Sequence, residues 1–144
     1  MFRRNFLKNS IIGSLSASTI MSLTNKNNPI VKSVPRIIST WKHGVNANKI
    51  AWKKLNNGEG GLTAVEYGVR DSENDPNERS VGYGGLPDRE GKVTLDACIM
   101  DSNNDCGSVS FLENIKNPIS VARLVMEKTP HIMLSGKGAY DFAI

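Results

Sequence analysis

Few side chains in this sequence have the chemistry of a metal ligand, a nucleophile or a proton carrier near neutral pH. The histidines are His43 and His131 and the cysteines are Cys98 and Cys106. Two histidines far apart in the chain give no metal-ligand spacing, and no metal site is expected. Nor is there a nucleophile-elbow pattern or a plausible serine, histidine and aspartate set. Gly82-Tyr83-Gly84-Gly85 fails the spacing of a dinucleotide loop and precedes a predicted strand instead of leading from one into a helix. Gly136-Lys137-Gly138 lacks the longer glycine loop and the hydroxyl after lysine that a phosphate-binding loop requires. No cofactor is therefore expected. Asp96 and Asp101 flank a predicted strand and have the look of a carboxylate pair, but turn capping accounts for Asp101. Asp75, Glu78, Arg79, Asp88 and Arg89 crowd one loop, where charge pairing is expected to hold the backbone in place.

Charge excludes one broad class of partner. The net charge is +4, and three of the 18 cations (Arg3, Arg4 and Lys8) fall in the first eight residues, which leaves 15 basic against 14 acidic groups in the rest. Nothing in that balance holds a phosphate backbone, and no nucleic-acid partner is expected. Residues 1–34 read as an export signal and linker. A basic head precedes a weakly apolar stretch, Ile11 to Leu23, too short and too polar to anchor in a bilayer. The order Arg3-Arg4-Asn5-Phe6-Leu7-Lys8 is similar to a twin-arginine signal. The expected location is therefore periplasmic or secreted, with no membrane anchor once the signal is removed.

The elements that must position any site are expected over residues 35–144. Arg36 to Trp41 has the β-branched content of a short strand. Asn46 to Asn57 has amphipathic spacing, with Ala47, Ile50, Ala51 and Leu55 on one side and Gly58 to end it. A second helix is expected with Thr63 and Glu66 as a capping box, a buried stripe of Ala64, Val65, Gly68 and Val69, and Pro76 as its stop. Asp75 to Gly91 reads as a long ordered loop. Val93 to Met100 and Gly107 to Leu112 read as antiparallel strands across the polar turn Asp101 to Asp105. A hairpin there could bring Cys98 and Cys106 opposite each other, so a disulfide and two free thiols are both open. Asn117 is expected to cap a helix that Pro118 starts, with Ile119, Val121, Ala122, Val125 and Met126 along it. His131 to Leu134 is expected as a buried strand and Gly136 to Ile144 as the start of a helix. The order suits one part of a layered α/β structure.

Two longer runs add to this reading: Arg79 to Asp101, with Ser80-Val81-Gly82-Tyr83-Gly84-Gly85-Leu86-Pro87-Asp88 inside it, and Ile115 to Arg123. With Ser39-Thr40-Trp41, Val125 to His131 and Gly136 to Ala139, they resemble the large-subunit half of the glycosylasparaginases, which are N-terminal-nucleophile hydrolases. Lys116 to Arg123, Val125 to His131 and Gly136 to Ala139 are equally similar to the isoaspartyl peptidase/L-asparaginase branch. Ser39 to Trp41 and Ser80 to Asp88 favour glycosylasparaginase.

The resemblance implies an α/β fold, a partial N-terminal-nucleophile hydrolase αββα sandwich incomplete at its C-terminus. It implies hydrolysis of the side-chain amide of N4-(β-N-acetylglucosaminyl)-L-asparagine by a threonine uncovered by self-cleavage. That threonine is expected beyond Ile144, so no catalytic residue is assigned in this chain, which is expected to be inactive alone. The implied partners are a glycosylated asparagine substrate, a small nucleophile-bearing subunit of the same precursor, and a second subunit pair. A tryptophan of the large subunit walls the substrate funnel in this family, and Trp41 is the matching position. From residue type alone Trp41 would be a packed aromatic at a strand end. Two alternatives stand beside this: an isoaspartyl peptidase/L-asparaginase, and a non-catalytic truncated product.

Overall fold

A computed structural model describes residues 34–144, so the expected export signal lies outside the described residues apart from Val34. Among the described residues two helices come first, α1 over Gly44–Asn56 and α2 over Gly61–Asn74. They cross where their side chains are smallest: Ala51 and Ala64 are buried, and a Cβ added to Gly68 would sit 2.8 Å from the Ala47 carbonyl oxygen. Only the small half of the expected stripe on α2 is buried, since Val65 and Val69 face outward. They line a cavity of about 280 Å³ with Ala47, Leu55 and residues 36–39. Residues 36–39 were expected as a strand and form none. The physical reason is that they lie along this helix groove, away from any sheet edge.

The Thr63 and Glu66 capping box does not form. The N-cap is Gly60, without a side-chain bond, and both residues lie inside α2. They face instead the helix α3, Pro118–Lys128. Glu66 Oε2 accepts from Arg123 at 2.8 Å, Glu66 Oε1 accepts from the Ser120 hydroxyl, and Thr63 Oγ1 accepts from Arg123 at 3.1 Å. Arg123 also donates to Glu127, four residues on, at 2.7 Å, and that bond is the main cause of a guanidinium pKa above its usual value. An S/T-x-x-E pattern places both side chains on one helix face, so it serves a neighbouring helix as readily as its own first turn.

Asn117 likewise does not cap α3 with its side chain. Glu73, from the last turn of α2, supplies the acceptor: its Oε1 receives the Ile119 amide at 3.0 Å and its Oε2 the Asn117 side-chain amide at 3.2 Å. Glu73 is 2% exposed, and burial pushes its carboxyl up to about 7 although these bonds and Arg70 pull the other way. Helix α2 stops at Asn74, because Asp75 precedes Pro76 and takes extended backbone.

The sheet has three strands in the order β1 (Leu95–Met100), β2 (Cys106–Leu112), β3 (Met133–Ser135). The first pair is antiparallel and the second parallel. Ile99, Val109 and Leu112 point to a core shared with Ile119, Val121, Ala122 and Val125 of α3 and with Ala139 of α4, Gly136–Ala143. Gly107 lets α3 lie on the backbone of β2, since an added Cβ there would meet the Ala122 carbonyl and stand 2.6 Å from the Met126 nitrogen. Between Ala97 and Leu95 the ladder slips by one residue, with Phe111 at φ +52°. This bulge turns Leu112 inward and leaves Phe111 half exposed. The strand expected as buried at His131 to Leu134 is three residues long and leaves Met133 exposed.

The cysteines are free and do not face each other. The turn centres on Asn103, so Met100 opposes Cys106 and Cys98 opposes Ser108. They are diagonal neighbours, two residues out of the opposed register. Among the described residues, no helix is long and apolar enough to cross a membrane.

Candidate functional site

Trp41 sits in the turn that leads into α1, where its carbonyl accepts the Gly44 amide at 3.0 Å. The turn is fixed from below: the Ser39 side chain occupies the space a Cβ on Gly44 would need, and the Ser39 hydroxyl donates to Asn48 Oδ1 on α1. With no strand to bury it, the Trp41 side chain stands 69% exposed. Among the described residues nothing buries the indole.

One aromatic neighbour meets the exposed ring. The His43 imidazole lies with its centroid 6.2 Å away and its plane within 18° of the indole, an offset stack. His43 Nδ1 is 2.8 Å from Glu78 Oε2. Glu78 Oε1 accepts both the Ser80 amide, at 3.0 Å, and the Ser80 hydroxyl. The Ser80 hydroxyl bond leads the causes that hold the Glu78 carboxyl below its usual pKa, followed by the Ser80 amide and, less strongly, His43. Trp41, His43, Glu78 and Ser80 thus form one chain of contacts from the start of α1 to the loop after α2. Ser80 also reaches a cavity of about 290 Å³ whose lining includes Glu73, Asp96 and Cys98.

This cluster presents an aromatic face and a hydroxyl, and it lacks an activated nucleophile. Ser80 gives its proton to a carboxylate with a lowered pKa, which is a poor base. Asp96 and Asp101 are not a catalytic pair either. Asp96 accepts the Phe111 amide at 2.8 Å at the bulge, and Asp101 accepts the Asn103 and Asp105 amides at 2.8 and 3.0 Å in the hairpin turn. The charges of the long loop pair with one another less than expected. Asp75 and Asp88 accept backbone amides of Asn77, Glu90 and Lys92, Glu78 turns to His43, and Arg89 reaches only its neighbour Glu90. The Lys92 amide leads the causes that lower the Asp88 pKa. Among the described residues, no group of three or more histidine, cysteine and acidic side chains converges to hold a metal ion.

A family model described as Asparaginase (Asparaginase_2) matches residues 15–144, most of the chain. The chain belongs to this asparaginase family. Within it, the chain is 56% identical over 147 residues to the N(4)-(Beta-N-acetylglucosaminyl)-L-asparaginase of Elizabethkingia miricola, a match covering 99% of this chain and 43% of that protein. It is 43% identical over 119 residues to the N(4)-(beta-N-acetylglucosaminyl)-L-asparaginase of Mus musculus, covering 80% of this chain and 34% of the relative. The chain therefore spans less than half the length of these two relatives. All four residues of the Trp41 cluster lie within the part that the asparaginase family model matches.

The sequence resemblance points to Trp41 alone and does not announce that His43, Glu78 and Ser80 would join it. His43 is considered from sequence as a metal ligand and as a triad base, and its spacing two residues after Trp41 also puts it within reach of the indole. Ser80 stood inside the run that carries the family resemblance. Glu78 stood among the loop charges expected to pair with one another, and its actual partner His43 is distant in sequence.

Proposed function

We propose that this chain forms the large-subunit part of a glycosylasparaginase that hydrolyses the side-chain amide of N4-(β-N-acetylglucosaminyl)-L-asparagine. The observation that carries the reading is the 56% identity, over 99% of the chain, to a protein named for that activity. In this reading the sheet described above is one of two in an αββα sandwich. The sandwich is completed by a smaller subunit that begins with the nucleophilic threonine, cut from the same precursor, and two such pairs associate.

The threonine hydroxyl attacks the amide carbonyl carbon while the threonine's own α-amine takes the hydroxyl proton. The tetrahedral oxyanion collapses with loss of the glycosylamine, which receives that proton, and a β-aspartyl ester remains. Water then adds to the ester carbonyl, releasing aspartate and the free threonine. In this scheme the large subunit contributes no reacting atom. It supplies the scaffold and the exposed face of Trp41 as a wall of the substrate funnel. We further propose that residues 1–34 direct export.

The test is to express the chain continued through the downstream region of its Elizabethkingia relative. Self-cleavage is expected first and amidase activity second. Trp41→Ala in that protein should raise KM or lower turnover while self-cleavage proceeds. An enzyme with unchanged kinetics after Trp41→Ala would remove Trp41 from the site, and a folded but uncleaved, inactive protein would overturn the reading itself.

A further inference from the structure

We infer that His43 is the positioning residue for Trp41, and that Glu78 and Ser80 set the plane in which it does so. The observations concern an exposed side chain that nonetheless has a defined neighbour. Trp41 is 69% exposed, so no core among the described residues restricts its side-chain torsions. Its turn fixes the backbone and leaves the indole free to rotate. The His43 imidazole supplies a flat surface at an offset-stacking distance, 6.2 Å between centroids and 18° between planes. A free imidazole rotates about its Cβ–Cγ bond and offers no fixed plane. This one is held at a second point, Nδ1, by Glu78 Oε2 at 2.8 Å.

Glu78 in turn has its other oxygen occupied twice, by the Ser80 amide at 3.0 Å and by the Ser80 hydroxyl. Each member therefore removes one rotation from the member before it. The chain ends in a backbone amide of the loop, which has no rotamer to lose. Nδ1 facing a carboxylate also fixes the imidazole proton there, so that Nδ1–H donates and Nε2 points away from the pair. His43 carries side-chain exposure of 27% and Glu78 of 21%, partial burial that shelters the pair from competition by water.

The inference rests on the reading of Trp41 as a wall of the substrate funnel, and its decisive measurement does not need the enzyme to be active. In the full chain with Trp52→Phe, Trp41 is the remaining tryptophan. Its acrylamide quenching and fluorescence anisotropy report how far the indole is held. A stack of this kind is worth roughly 0.5–1.5 kcal/mol, so His43→Ala should raise the ratio of mobile to stacked Trp41 about two- to thirteen-fold, read chiefly as lowered anisotropy. His43→Phe, which keeps a flat ring and drops the Nδ1 bond, should recover part of that loss. Glu78→Gln keeps an acceptor oxygen for either Ser80 or His43 and should fall between wild type and His43→Ala.

Equal quenching and anisotropy in wild type and His43→Ala would overturn the inference. Should His43→Ala fail to fold, Glu78→Gln and His43→Phe carry the same comparison, and two wild-type signals there would overturn it equally. In the assembled enzyme, His43→Ala is expected to raise KM with kcat kept, because positioning acts on binding. Altered Trp41 mobility with unaltered kinetics in both His43→Ala and Trp41→Ala would leave the positioning in place and reject the funnel reading, so the two failures are distinct.

Discussion

Glu73 makes the stability of this protein fall as pH rises through the range where most proteins are insensitive. Its carboxyl has an ordinary value of 4.5 and is pushed up to about 7 in the fold, chiefly by burial. Between those values the folded chain holds a proton that the unfolded chain has released, so the unfolded state binds fewer protons and stability declines with rising pH. Integrating over the two values gives a loss of about 2.5 kcal/mol between about pH 5 and about pH 8. Glu78 and Asp88, both held below their usual values, act in the opposite sense. Their contributions are present above the unfolded value and are lost on the acid side of this window. The perturbation is Glu73→Gln, which keeps an oxygen for the Ile119 amide and cannot titrate. It sets an amide against the Asn117 side chain, which must flip and give up its 3.1 Å bond to Asn74, a pH-independent cost of about 1 kcal/mol. Urea unfolding of both proteins across this range checks the argument, with His43 and His131 common to both. Wild type should lose about 2.5 kcal/mol more than the variant between the two ends. Parallel pH profiles, or a wild type that gains stability relative to the variant toward pH 8, would refute the placement of a raised carboxyl under α3.

Gly107→Ala should destabilise by about 3 kcal/mol in urea unfolding, because the new methyl meets the α3 backbone and no flexible side chain can yield. Arg123→Met should cost about 2–3 kcal/mol by the same measurement, since it removes the charged donor facing Glu66 and Thr63 between α2 and α3. A loss below a few tenths would mean that the pair is solvated. For export, Arg3→Lys with Arg4→Lys is expected to retain a folded fusion reporter in the cytoplasm, and unchanged export would favour an ordinary secretory signal.

The elements of this fold were legible where pattern and punctuation agree. Gly58 and Pro76 mark the ends of α1 and α2, the polar turn marks the hairpin, and Pro118 opens α3. What was not legible is the identity of partners. Thr63 and Glu66 have the spacing of a local cap and are used between helices, because only the packing of α3 on α2 brings Arg123 to that face. Asn117 has the type of an N-cap, yet Glu73 accepts the amide, and nothing near Asn117 in sequence announces it. The strand expected at Arg36 to Trp41 rested on β-branched content, which equally suits a chain lying in a helix groove. That error hid the exposure of Trp41. Of the two cysteine alternatives the free thiols hold, because a turn centred on Asn103 pairs Cys106 with Met100 and Cys98 with Ser108.

The central strand β2 meets its two neighbours by different routes. Its hairpin with β1 closes across five residues of turn that Asp101 already organises, whereas its three-residue pairing with β3 waits for the whole of α3 to cross over. Loop closure is cheap on one side and costly on the other. Amides of β1 and β2 are thus expected to belong to the last part of the molecule to open, and those of β3 to an early one. Hydrogen exchange should show the sheet protected unequally, its parallel edge released in a smaller excursion than the one that frees the hairpin.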